Sequence, residues 1–162
     1  MIKPILVFGY GNLSRGDDAL GPLLLDYIES HCDLTEIELL TDFQLQIEHA
    51  LDLEHRSLVL FVDASVACIN TFDFSQLSAA RDKSYTTHAM SPAAVLAVYV
   101  SIKKQTPPPS FLMSIKAESM ELGEGLSCAA ENNLQQACLV IKELLRQPNL
   151  KHWLQQTEQA LR

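Results

Sequence analysis

Basic residues are scarce in this chain: 12 Lys and Arg stand against 20 Asp and Glu, a formal net charge of −8 over 162 residues. Nucleic acids and anionic membrane surfaces are bound through clustered cations, so neither is an expected partner, and a neutral or basic protein surface is. The four cysteines, Cys32, Cys68, Cys128 and Cys138, include no C-x-x-C pair. That spacing argues against a zinc site or a disulfide framework and leaves them as small core residues of a reduced compartment. No apolar run approaches the roughly 18 to 20 residues of a membrane span, and the N-terminus has no charged segment leading into a long apolar one. A cytoplasmic protein is the expectation. Internal repeats and low-complexity stretches are absent as well, and so are G-x-S-x-G and H-E-x-x-H, which leaves no convincing nucleophile.

What the chain does have is apolar material, 48% of its residues, enough to fill one core. One domain over 1–162 with a short C-terminal helical tail is expected. "ILVF" (5–8), "IELL" (37–40), "LVLFV" (58–62) and "FLMSI" (111–115) are apolar almost throughout, as strands covered on both faces must be. A short fifth strand is expected between Ile69 and Tyr85. Leu20, Leu23, Leu24, Tyr27 and Ile28 recur at helical spacing, with Pro22 in the first turn where its missing N–H costs nothing. Further helices are expected at 43–54, 91–104 and 127–147, the second capped by Ser91 with Pro92 at its first position. The fold class is therefore α/β: three layers, α/β/α, around a mostly parallel twisted sheet of about five strands, phosphorylase/hydrolase-like. After Pro148, Leu150, Trp153, Leu154 and Leu161 continue an amphipathic pattern, read as a docked end helix in preference to a partner contact.

"GYGNLSRGDDALGP" follows the first strand where phosphate-binding loops occur. It satisfies neither template. The dinucleotide fingerprint needs glycine where Ser14 stands, and the Walker spacing of Gly11 and Gly16 leads to Asp17 and Asp18 in place of Lys-[ST]. Two carboxylates repel a polyphosphate, so the loop suits a cation or a helix cap. Asp17 stands at an N-cap position, which leaves Asp18 seeking another partner. Asp63 ends "LVLFVD" and emerges at the same strand edge, where ligands bind in such sheets. His31, His49, His55 and His152 fall in helices or polar flanks and read as surface residues. His88 lies in "YTTHAMSPAAVL", a polar loop able to reach the strand ends. Asp18, Asp63 and His88 together suit nickel or zinc with open positions.

The combination "ILVFGYGNLSRGDDALGP", "VDAS" and "THAMSP" resembles the hydrogenase maturation endopeptidases, whose signature is G-x-G-N-x-L-x-x-D-[DE]-[GA]-x-G. "IKAESMELGEGLS" (115–127) is similar to their late strand and loop, and only about the last 15 residues fall outside the likeness. The resemblance implies an endopeptidase that removes the C-terminal extension of a nickel-iron hydrogenase large-subunit precursor after nickel insertion. It places the catalytic and metal-recognising residues on Asp18, Asp63 and His88, and the substrate-binding residues on Gly9, Gly11, Asn12 and Asp42. Nickel would arrive with the precursor, with no organic cofactor and a monomeric enzyme. "DFQLQ" (42–46), in place of the family's usual glycines, resembles peptidases serving NAD-reducing, bidirectional hydrogenases. Hydrolysis then needs a water activated by metal or carboxylate, with nickel either polarising the scissile carbonyl or marking the substrate. Pure turn geometry remains an equal reading for Gly9, Gly11 and Asn12. The alternatives are a non-proteolytic nickel-binding chaperone and a nucleotide-binding enzyme.

Overall fold

The computed structural model describes residues 1–80 and 90–160. Five strands, β1 (Ile5–Tyr10), β2 (Ile37–Asp42), β3 (Leu58–Ser65), β4 (Phe72–Gln76) and β5 (Ser110–Lys116), form one sheet in the order β2-β1-β3-β5-β4. β2, β1, β3 and β5 run parallel, and β4 closes one edge antiparallel to β5. The apolar runs are strands because both of their faces are covered. Ile5, Val7, Leu58, Leu60, Val62 and Phe111 pack into a cluster with helices α1 (Leu20–His31) and α3 (Cys128–Arg146). Leu6, Phe8, Val59 and Phe61 pack on the other face against α2 (Pro92–Lys103) and a short 3-10 helix, Ile47–Leu53. These are the three layers expected. The fifth strand falls inside the expected interval.

From β1 the chain goes outward to β2 and then returns past β1 to β3, so the strand order switches between β1 and β3 and opens a crevice at their carboxyl ends. α1 enters that crevice at very close range. A Cβ at Gly9 would come within 2.8 Å of the Gly21 carbonyl oxygen, and one at Gly21 within 2.9 Å of that of Val62. Two facing glycines thus let helix and strand backbones touch.

The end of the chain forms α4 (Leu150–Ala160), docked as expected. Trp153 is fully buried, its Nε1 donates to the Leu144 carbonyl at 2.9 Å, and its ring stands edge-on to Phe74 and Phe111. Leu161 lies outside the described residues. The helix expected at 43–54 is shorter than its pattern implied. Leu45 is buried, and Gln46 is extended at φ −134° and ψ 167°, so the chain cannot coil until Leu45 has reached the core. Cys68 and Cys138 are buried, but Cys32 is half-buried and Cys128 is exposed, because Cys128 opens α3 on its outward side. Among the described residues, no helix is long and apolar enough to cross a membrane.

Candidate functional site

Strand parity builds the site. Tyr10 continues Leu6 and Phe8 on the α2 face of β1, and Asp63 continues Val59 and Phe61 on the same face of β3. One step beyond the paired residues Gly9 and Val62, the two side chains meet: the Tyr10 hydroxyl donates to Asp63 Oδ2 at 2.9 Å. Asp42 pairs with Tyr10 on the β2 side and Ser114 with Asp63 on the β5 side. A polar row, Asp42, Tyr10, Asp63 and Ser114, therefore crosses the carboxyl edge above the apolar layer.

Asp63 is half-buried, and its Oδ1 has no hydrogen bond of ordinary geometry among the described residues. Burial pushes its carboxyl above the usual carboxylate range. The Ser114 and Tyr10 hydroxyls beside it ease that rise, and the Asp18 charge adds to it. Burial first, then the charge of Asp63, lifts the Tyr10 phenol well above its ordinary value, so at neutral pH it stays a donor. Sequence reasoning passed over Tyr10. Its parity with Phe8, read beside that of Asp63 with Phe61, was the available signal.

Asp18 enters from the loop after β1, on a 3-10 helix at Gly16–Ala19. Its Oδ2 accepts from the Asn12 amide at 2.9 Å. Gly11 sits at φ +147°, and a Cβ there would come within 2.0 Å of the Asp18 carbonyl oxygen, so only glycine lets the loop fold onto Asp18. The Gly11 amide donates to the Asp42 carbonyl at 3.0 Å, and Gly9 lies within β1. The amides of Gly11 and Asn12 are thus engaged inside the loop, and shaping the turn is the role the structure displays for them.

Asp17 corrects the expectation of an N-cap. Its carboxylate is fully buried and makes no bond to its own helix. It accepts instead from the amides of Glu118 (2.8 Å), Ser119 (3.2 Å) and Ser127 (2.8 Å) and from the Ser127 hydroxyl (2.8 Å). Burial alone would raise this carboxyl, but the bonds from Ser127, Glu118 and Ser119 outweigh it and hold the pKa below the ordinary value. Asp17 ties the loop after β1 to the loop after β5.

His49 also departs from the surface role expected of it. Its side chain is 14% exposed and its ring stands edge-on to Phe8 at 4.6 Å. The Gln46 amide donates to Nδ1 at 2.8 Å, which places the ring proton on Nε2, 3.1 Å from Asp42 Oδ2. The Q-x-x-H spacing of a capping box was the sequence signal. The Phe43 amide takes Asp42 Oδ1 at 2.7 Å, so both oxygens of that aspartate are engaged. The buried thiol nearest the row, Cys68, donates to Asp73 Oδ2 at 3.1 Å and is pushed up to about 12, chiefly by burial. It is no nucleophile.

His88 lies outside the described residues. Among the described residues no group of three or more His, Cys, Asp and Glu could hold a metal ion. The described part of the expected triad is therefore a pair of carboxylates, Asp18 and Asp63, close enough for the charge of one to bear on the other. A buried, unpaired carboxylate oxygen beside a second carboxylate fits a cation with room for a further ligand.

No family model matches the chain, and no curated protein matches it. Solved structures do. The hydrogenase maturating endopeptidase HybD from Escherichia coli superposes with a TM-score of 0.70 at 24% identity, covering 89% of this chain and 93% of its own. The chain has the hydrogenase maturation endopeptidase fold. An endopeptidase from Escherichia coli solved in solution gives 0.71 at 23% identity, again over 89% and 93%. The nickel-iron hydrogenase maturation protease HycI from Thermococcus kodakarensis gives 0.66 at 20% identity over 90% and 93%. Nearly the whole chain thus shares this fold.

Proposed function

We propose that this chain is an endopeptidase that removes the C-terminal extension of a nickel-iron hydrogenase large-subunit precursor once nickel is in place. It would engage that nickel through Asp18, Asp63 and His88, as a cytoplasmic monomer. The observation that carries the reading is the buried, unpaired Oδ1 of Asp63, beside Asp18 at the switch point of a fold shared with named maturation endopeptidases. A carboxylate left in that state wants a cation, and the cation here belongs to the substrate. Nickel borne by the precursor would supply a positive centre and polarise a carbonyl brought beside it.

The chain's own residues do the remaining work. The Asn12 amide holds Asp18 and the Tyr10 hydroxyl holds Asp63. With Cys68 inert, a water is the nucleophile, and Asp63, whose basicity burial has raised, is the better placed of the two carboxylates to take its proton. Asp42 and the loop after it lie one strand away on the same edge, and Phe43 there is 71% exposed. An aromatic held open beside the site supports the DFQLQ segment as a contact to the precursor of an NAD-reducing, bidirectional hydrogenase.

The test is to incubate the protein with a nickel-loaded large-subunit precursor and weigh the product. A precursor shortened by its C-terminal extension supports the peptidase. Tight binding without shortening overturns the peptidase reading and makes the chain a non-proteolytic nickel-binding chaperone, and a result with neither binding nor shortening overturns both.

A further inference from the structure

Asp63 has one hydrogen bond where Asp17, in the adjoining loop, has four. Its one donor of ordinary geometry is the Tyr10 hydroxyl, 2.9 Å from Oδ2; the Ser114 hydroxyl lies beside it, and its other oxygen, itself buried, has no such bond among the described residues. Tyr10 is itself fixed. It is the last residue of β1, its backbone lies in register with Asp42, and its ring tilts against Phe8 at a centroid distance of 6.3 Å. Both residues sit on strands, and each side chain turns about two bonds of its own. The hydrogen bond between them ties the orientation of the carboxylate to the ring that packs on Phe8.

We infer that Tyr10 is a positioning residue of this site: its hydroxyl, held on Oδ2, fixes the orientation in which the Asp63 carboxylate meets the metal-bearing substrate. This rests on the reading of Asp63 as a group that engages the precursor's nickel. Second-sphere donors of this kind matter because a ligand carboxylate free to rotate must be ordered again at each binding event.

The test uses Tyr10→Phe, which removes the hydroxyl and keeps the ring, with Asp63→Asn and the double variant as controls. Two quantities are read: the three-bond couplings about the Cα–Cβ bond of Asp63 by NMR, and the rate and affinity with a nickel-loaded precursor. A melting curve on each sample shows that the fold is kept. The expected result is a single Asp63 rotamer in the wild type, averaged couplings in Tyr10→Phe, and processing lower by about 10- to 100-fold. In an Asp63→Asn background, Tyr10→Phe should leave the precursor affinity unchanged. Unchanged couplings, or averaged couplings with wild-type processing, overturn the proposal. If the wild type leaves the precursor uncut, the proposed peptidase activity is what fails. The couplings, with precursor affinity in place of rate, then decide the role of Tyr10 alone.

Discussion

Asp17 and Asp63 are carboxylates at the same edge of one sheet, and the protein treats them in opposite ways. Asp17 is fully buried and receives four hydrogen bonds from Glu118, Ser119 and Ser127. Asp63 receives one of ordinary geometry, from Tyr10, with the Ser114 hydroxyl beside it, and keeps an oxygen unpaired among the described residues. Their acidities follow. The bonds around Asp17 overcome its burial and hold its carboxyl low, whereas burial around Asp63 prevails and lifts it. A saturated carboxylate has nothing left to offer a ligand and serves as a tie between loops. An undersaturated one is costly to the fold, and such cost is retained where a substrate is to be met.

The largest effect expected from this contrast is in Asp63→Asn. Precursor processing should fall below detection in a mass assay while the melting temperature does not drop, because an amide carries no charge to desolvate. Next comes Asp17→Ala, which leaves four donors around an emptied site. Urea unfolding should show a loss of about 3 kcal/mol or more, since each bond to a charged group is worth about 1.5 to 3 kcal/mol and its loss strands a buried partner. A smaller effect separates the two by pH. The folded pKa of Asp17 lies below its ordinary 3.8, so its contribution is present above that value and is lost as pH falls through the lower, folded one. Asp63, raised in the fold, has the opposite sign: its ionised form costs stability above the folded pKa, and acidification relieves that cost. Stability curves should therefore show a shallower acid decline in Asp17→Asn, and in Asp63→Asn a gain over wild type that vanishes toward pH 3.8. The smallest change is Ser127→Ala. It removes one of the four donors to Asp17 and the cap on the Ala130 amide, about 1 to 2 kcal/mol in the same unfolding assay. A larger loss there would mean that the loop tie depends on Ser127 and not on Asp17.

The strands and the layer order were legible because their residues are buried on both faces, and continuous apolar runs say so directly. Asp63 was legible for the same reason, as the first polar residue after such a run. Asp17 was not. Its partners stand 101 to 110 residues away, and a local reading sees only the helix that follows it. The shortened helix after β2 failed on a similar point, since the burial of Leu45 and the pairing of Asp42 with His49 are decided by packing against Phe8. Tyr10 could have been found by strand parity alone. His88 fell within reach of motif reasoning but lies outside the described residues.

The most direct test of this division puts Asp17→Asn and Asp63→Asn through one experiment, with the melting temperature and the mass of a nickel-loaded precursor product read on the same samples. The account predicts a crossed result: Asp17→Asn melts lower yet cuts the precursor at temperatures where it is folded, and Asp63→Asn melts no lower and does not cut. If instead Asp63→Asn cuts at the wild-type rate, or Asp17→Asn stays as stable as wild type and loses all cutting, the roles assigned to the two carboxylates are contradicted.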